Sequence, residues 1–346
     1  MIISFLIDSR YGGPQMINNH LDKNIFKNHK TIFFDKKNRK FKFFNLKKKI
    51  KIFFLIDVIF NLFILQKNKK FFLKYKTFFV YSILNIIPII FGILLKKKII
   101  WYILEQPNTI FYFFFKILLL YSNIKVICIS DSLGKKLKIK NYSVYFPSIN
   151  YNYWKKNNSN IQQKNKLEIT CVGNINKTKN HYQLINFLLK SKKKFNLNII
   201  GKNLTTQKSY NKKLQLLIKN SNKSTPNKIK IHQNKKSKFI KKILNKTDLY
   251  ILPSISEGLS ISLVEAMSME RVCLVSKPSN HSKIIKNKKN GFEFNLNQNS
   301  FLKALNHSMA INNTAKNEII KKARYTIKKI IDKNLNFEKK LKIGLF

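Results

Sequence analysis

The sequence predicts an α/β protein of two successive doubly wound domains, each a parallel sheet with crossover helices. Three observations carry that prediction. Short β-rich runs alternate with helical runs along nearly the whole chain. The alternation stops once, in a stretch rich in Asn, Lys and Gln with few aliphatics, and then starts again. A length of 346 residues with 44% hydrophobic content is enough for two buried cores.

The first domain is expected over 1–150. Strands are read at 2–7, 31–34, 78–82, 99–104 and 125–130, with a short run at 144–146 before Pro147 closing this half. Helices are read near 16–26, 58–65, 86–95 and 110–120. The apolar run 78–95 has the length of a membrane span, but Asn85, Pro88 and Gly92 interrupt it. It divides instead into a strand and a helix of a soluble core. A linker is expected at 151–166, and a second domain over 167–346. Its strands are read at 167–172, 196–200, 228–231, 248–252 and 272–276. Its helices are read near 178–190, 207–220, 238–245, 260–269 and 301–309, followed by a Lys-rich tail helix over 314–333. Two such domains in sequence imply a cleft between the carboxyl ends of their strands, where ligands of doubly wound sheets bind.

Charge narrows the function. Lys plus Arg number 68 against 15 Asp plus Glu, a net charge of +53. Only Arg10, Arg39, Arg271 and Arg324 carry the guanidinium fork that reads phosphates and base edges, and the charge is spread along the chain, so a nucleic-acid partner is not expected. Solvated lysine surface is the first reading of this charge, and a basic face toward an anionic membrane surface the second. The aromatic–lysine stretch 71–76 suits a headgroup-level surface on the first domain, whereas the runs 41–44 and 111–115 read as core or as a lipid-facing patch. Cys128, Cys171 and Cys273 each lie in an apolar run, which points to buried thiols in a reducing, cytoplasmic setting. The amino-terminal residues do not read as a secretory leader. The six histidines form no ligand spacing, so neither a metal nor another cofactor is expected.

Against so few carboxylates, Glu257 and Glu265 stand out. They bracket a Gly and a helix start in Pro253-Ser-Ile-Ser-Glu257-Gly258-Leu259-Ser260-Ile-Ser-Leu-Val-Glu265-Ala-Met. Ser260 reads as the N-cap of a helix, so Glu257 falls in the loop and Glu265 inside the first turns. Free amides at such a helix start favour a phosphate. Eight helical residues would span roughly 12 Å, well beyond the ~5 Å of a retaining glycosidase pair. The two carboxylates therefore read as grips on the ends of one elongated ligand, such as a nucleotide-sugar, with its diphosphate between. A pair of surface glutamates at a helix entry is the alternative.

This segment, with Asp248-Leu-Tyr-Ile-Leu-Pro253-Ser254 before it, resembles the signature of family 4 glycosyltransferases. Other stretches are similar to the family's elements: Gly12-Gly13-Pro14, Ile127–Ser130 with Asp131-Ser132-Leu133, Cys171-Val172-Gly173-Asn174-Ile175-Asn176-Lys177-Thr178-Lys179, and Asn290-Gly291-Phe292, which resembles an Asn-Gly element after the sixth strand of the second domain. The resemblance implies a GT-B fold, with two Rossmann-like domains facing across a cleft. It implies transfer of a sugar from a nucleotide-sugar donor, with retention of configuration and without a metal, to a cell-envelope glycan or lipid-linked acceptor. The expected place is the cytoplasm, peripheral to the inner face of the membrane.

Carried over residue by residue, the resemblance gives Glu257 a place at the reaction centre and Lys179 the charge of the departing diphosphate. Glu265 would bind the ribose hydroxyls. Gly258, Leu259 and Ser260 would present backbone amides to the donor, Gly12, Gly13 and Gly173 would let the backbone approach the phosphates, and Gly201 would turn the chain beside the nucleobase. The sequence departs from the family at Asn174, where an Arg is common, and at Trp101–Pro107, where a His is common. Glu105 is the acceptor-side candidate in that second stretch. These departures support an alternative: a catalytically weakened relative acting as a binding or scaffold protein.

Overall fold

The structure, a computed structural model, describes residues 1–7, 13–26, 29–34, 51–105, 109–146, 149–156, 165–203, 207–257, 260–280 and 283–342. They fall into two compact units, Met1–Ser148 with Lys333–Phe346, and Ile149–Asp332.

The first unit runs β1 (Ile2–Leu6), α1 (Gly13–Asn24), β2 (His29–Phe33), α2 (Lys51–Lys67), α3 (Lys69–Leu73), β3 (Thr77–Tyr81), α4 (Ile86–Leu94), β4 (Lys98–Ile103), α5 (Thr109–Leu118), β5 (Ile124–Cys128), α6 (Asp131–Lys136) and β6 (Ser143–Val144). Its six strands form one sheet in the order β2-β1-β3-β4-β5-β6, with every pair parallel. Parallel strands covered on both faces read as unbroken apolar runs, which is why 78–82 and 99–104 are legible. One face of the sheet packs Phe5, Phe78 and Trp101 against Phe72 of α3, Phe91 of α4 and Phe115 of α5. Each such ring contributes about 1.5–3 kcal/mol by leaving water. The apolar run 78–95 divides as its interruptions suggest, into β3, a turn and α4. Among the described residues no helix is long and apolar enough to cross a membrane.

The second unit runs β7 (Leu167–Val172), a 3₁₀ turn (Lys177–Lys179), α7 (His181–Leu189), β8 (Phe195–Gly201), α8 (Lys208–Ser224), β9 (Lys228–Gln233), α9 (Ser237–Lys246), β10 (Leu249–Leu252), α10 (Ile261–Ser268), β11 (Val272–Ser276), β12 (Phe292–Phe294), α11 (Gln298–Ala310) and α12 (Asn313–Lys342). Its sheet is also wholly parallel, ordered β9-β8-β7-β10-β11-β12. Strand order reverses at the β7–β10 neighbours. Diverging connections leave a crevice there, beyond the carboxyl ends of the strands.

Three details differ from the sequence reading. The helix α12 continues past residue 333 to Lys342, and from Lys333 onward it groups with the first unit rather than the second. Polar contacts explain that grouping. Glu338 accepts from the Tyr145 hydroxyl at 2.6 Å and pairs with His20 at 3.0 Å, while Asn334 exchanges hydrogen bonds with the backbone of Phe146. Secondly, Asn290-Gly291 stands immediately before the sixth strand of the second unit, not after it, because β12 begins at Phe292. Thirdly, the 71–76 stretch turns two of its rings inward: Phe72 and Tyr75 are buried in the core, and its exposed residues are Leu73, Lys74 and Lys76. The run 41–44 lies outside the described residues.

Candidate active site

The switch point of the second sheet gathers the sequence-predicted donor residues. Beyond β7 the chain passes Gly173 and Asn174 and enters the 3₁₀ turn. Asn176 caps that turn by accepting from the Lys179 amide at 2.9 Å. Asn180 follows with φ 58°, a left-handed conformation that asparagine tolerates better than most residues. The Lys179 stem lies across Gly173: a Cβ at 173 would stand 3.0 Å from its Cε. Gly201, at the end of β8, meets the same loop more closely. Gly173 donates its amide to the Ile200 carbonyl at 2.9 Å, and a Cβ at 201 would lie 1.9 Å from the Gly173 carbonyl oxygen. Glycine at 201 is therefore required by the protein's own backbone. Gly201→Ala is expected to cost about 1–3 kcal/mol as an overpacked substitution and to lower the melting temperature by several degrees, measured by thermal unfolding.

From β10 the chain enters the loop that carries Glu257. The amide of Ile255 donates to the Thr178 carbonyl at 2.8 Å, tying this loop to the 3₁₀ turn. Ser254 donates to Glu257 Oε1 at 3.0 Å, and Ser276 holds the Ser254 carbonyl at 2.6 Å. Across the switch point the Lys179 ammonium forms an ion pair with Glu257, both side chains largely shielded from water. Residues 78 positions apart in the sequence thus meet at one point. Gly258 and Leu259 lie outside the described residues, as does Gly12; Gly13 is the first residue of α1.

Ser260 is the N-cap residue of α10, as the sequence predicts, but its hydroxyl makes no capping bond. It meets the Ser262 hydroxyl at 3.0 Å instead, and Ser262 donates to the Val172 carbonyl at 2.9 Å, fastening the helix start to the end of β7. The first amides of α10, at Ile261 and Ser262, find no acceptor among the described residues, so the helix start retains its positive end. One turn on, Glu265 is buried within a helix whose residues 263–268 are all buried. Burial alone holds its carboxyl up at about 8, against an ordinary 4.5. No hydrogen bond or ion pair to this carboxyl forms among the described residues. A desolvated carboxyl without partners is costly unless a ligand supplies donors.

Sequence reasoning missed His181, at the start of α7. It is buried, and neither ring nitrogen has a partner among the described residues. Burial, then the neighbouring Lys179 charge, drives its pKa down to about 3, so the ring is neutral. Its only sequence signal is its place two residues after Lys179. All three cysteines are buried, as expected. The thiol of Cys171, close to Lys179 and Glu257, is pushed up to about 12 by burial and stays protonated. Arg271 is spent on structure, donating to the Met269 and Thr247 carbonyls. Glu270, beside it, holds φ 57° after α10, where a small residue is the cheaper choice.

In the first unit Glu105 lies just beyond β4. Its side chain is half-buried: it accepts from the Ser82 hydroxyl and the Ile83 amide, and burial raises its pKa despite both bonds. Ser82 follows β3 with φ 77°, a strained conformation for a residue with a side chain. Trp101 fixes it by donating to its carbonyl at 2.9 Å. No group of three His, Cys, Asp or Glu side chains placed to hold a metal occurs among the described residues.

Comparison with known proteins fits this geometry. The chain is 37% identical over 67 residues to the UDP-Gal:alpha-D-GlcNAc-diphosphoundecaprenol alpha-1,3-galactosyltransferase of Escherichia coli, a match spanning 19% of this chain and only 17% of that protein. Over 98% of both chains the structure resembles Anabaena Alr3699/HepE in complex with UDP and glucose, at a TM-score of 0.77 and 13% identity. A glycosyltransferase from Rickettsia africae gives 0.72 at 16% identity, again over 98% of both chains. The sucrose-phosphate synthase of Thermosynechococcus elongatus gives 0.74 at 10%, over 100% of this chain and 98% of that one. These likenesses establish the GT-B fold. The sequence model for glycosyl transferases group 1 matches residues 152–326, just over half of the chain. The chain belongs to the group 1 glycosyl transferase family.

Proposed function

We propose that this protein transfers a sugar from a nucleotide-sugar donor, with retention of configuration, to a lipid-linked or glycan acceptor of the cell envelope. The observation that carries this reading is the convergence at one switch point of the Lys179–Glu257 pair, the open start of α10 and the buried Glu265, which has no partner among the described residues. In this reading Glu265 takes the ribose hydroxyls, the α10 amides and Lys179 take the diphosphate, and Glu257 meets the sugar. The ion pair fits adjacent roles: a cation for the leaving phosphate and a carboxylate for the sugar belong on either side of the bond that breaks. As that bond lengthens, negative charge develops where Lys179 and the helix start already stand. Lys179 then exchanges Glu257 for the phosphate. Asn174 supplies no charge, so the leaving group depends on Lys179 and the helix start, with Lys177 of the same turn as the further cation. Nothing in the proposed steps calls on a metal.

The matched relative's name contains UDP-Gal and a diphosphoundecaprenol-linked GlcNAc, which supports an acceptor of the lipid-linked class. Glu105, half-buried, bonded to Ser82 and placed at the strand ends of the first sheet, is the acceptor-side carboxylate in this reading. The experiment is a donor panel assayed for released nucleoside diphosphate, with and without polyprenyl-diphosphate sugars, and for product anomer by NMR. Turnover of one donor with the anomer retained is expected. Glu105→Gln is expected to lower transfer about 10–100-fold, the scale of one positioning or proton-accepting group, with little change in donor affinity. Nucleotide binding without turnover across donors and acceptors would instead favour a scaffold role.

A further inference from the structure

Three helices on one face of the first sheet do not behave as surface helices of a soluble domain. The residues Val58 and Leu65 of α2, Ile87 and Phe91 of α4, and Phe115 and Leu118 of α5 share one core cluster with β1, β3 and β4, so the three cover the same face. The helix α4 packs between the other two. Such helices ordinarily turn polar residues outward. Here the outward side is also apolar. On α2, Ile59 and Phe63 are 66% and 64% exposed; around α5, Phe113 and Leu120 are 64% and 83% exposed, and Phe114 and Ile117 are exposed beside them. Between the two, α4 has no polar side chain at all, and its Leu94 is also exposed. Isolated apolar side chains on a surface are ordinary, whereas aligned stripes on neighbouring helices mark a contact surface.

Charge identifies what that surface meets. From the start of α2 to residue 130 the sequence contains two acidic residues, Asp57 of α2 and Glu105, which is half-buried and bonded to Ser82 at the strand ends. Lysines gather at the carboxyl ends of the helices: Lys67 closes α2, Lys70 and Lys74 follow, and Lys96 stands just beyond α4. Because the helices run back against parallel strands, these ends share the amino-terminal edge of the sheet. An apolar face bounded by lysines, on three helices that contain a single carboxylate, Asp57, is complementary to acyl chains beneath anionic headgroups and poorly suited to a basic or acidic protein partner.

We propose that the outer face of α2, α4 and α5 docks the first unit onto an anionic bilayer, with Phe63 and Phe113 entering the acyl boundary and the lysines contacting lipid phosphates. This surface belongs to the first unit and the donor residues to the second, and the proposal does not depend on the sugar-transfer reading. The test is co-sedimentation of the full chain with vesicles of phosphatidylcholine, alone or mixed in equal parts with phosphatidylglycerol. Binding to the mixed vesicles and not to phosphatidylcholine alone is expected, weakening as salt rises. The double variant Phe63→Asp, Phe113→Asp is expected to lose about tenfold or more of this affinity for each ring withdrawn, and Leu216→Asp, on the exposed side of α8 in the second unit, none. If the double variant unfolds early, Lys70→Glu with Lys96→Glu tests the same face by charge and is expected to weaken binding severalfold. A thermal shift with nucleoside diphosphates reads the donor site of every variant separately. A native chain that stays in the supernatant, binds both vesicles equally, keeps its affinity in the variants, or covers this face by self-association on gel filtration overturns the proposal.

Discussion

Glu257→Ala is expected to reduce sugar transfer by about a thousandfold or more, the scale on which one preorganised electrostatic group acts, while nucleotide affinity changes only severalfold. The carboxylate is held by Ser254 and paired with Lys179, so the alanine variant removes a sugar contact and also leaves a shielded ammonium without its partner. That second effect is a stability cost of about 1–3 kcal/mol, which thermal unfolding measures apart from activity. Glu257→Gln keeps an acceptor for Ser254 and removes the charge. It is expected to recover part of the stability and little of the rate. A glutamine variant with near-native turnover would move Glu257 out of the reaction centre.

Glu265→Gln is expected to act in opposite directions on stability and on donor binding. The folded carboxyl holds its proton up to about pH 8, whereas the unfolded one releases it near 4.5. Between those values the folded state binds more protons than the unfolded state, so stability falls as pH rises, by up to roughly 1.4 kcal/mol per pH unit, and levels off above about 8. Glutamine has no proton to lose, so the variant should be the more heat-stable protein at pH 8, with the advantage vanishing toward pH 5. Donor binding should run the other way. Ribose hydroxyls donate best to the ionised carboxylate, so native affinity should rise with pH up to about 8. The variant should lose about a hundredfold of affinity, the scale of two hydrogen bonds to a charged group, together with that pH dependence. Calorimetric titration and melting curves across pH 5–9 read both effects.

The sequence carries the fold well because parallel strands buried on both faces leave unbroken apolar runs, and β3, β4, β7 and β10 lie within a residue or two of their predicted places. Shorter elements escape it. The strand β12 has three residues, and α3 and α6 have five and six, too few for a period to show. The far end of α12 was also hidden, since its return to the first unit depends on Tyr145 and Phe146 donating to Glu338 and Asn334, almost two hundred residues away. At the site, the cap position of Ser260 and the entry of Glu257 and Glu265 were legible from local chemistry. The Lys179–Glu257 pair, the orphaned ring of His181 and the strain at Ser82 were not, because each is created by packing between distant strands. Phe72 and Tyr75 show the converse: their lysine neighbours suggested a surface, but the aromatic core of the first unit claims both rings.

The central claim is that the switch point of the second sheet binds a nucleotide-sugar through Glu265, the start of α10 and the Lys179–Glu257 pair. Thermal unfolding with a panel of nucleoside diphosphate sugars tests it most directly, because a ligand that binds only the folded state raises the melting temperature by mass action. The account predicts that at least one donor raises the melting temperature of the native chain, and that Glu265→Gln and Lys179→Ala each abolish most of that shift. A native chain that no donor stabilises, or a shift that survives both substitutions undiminished, would contradict it.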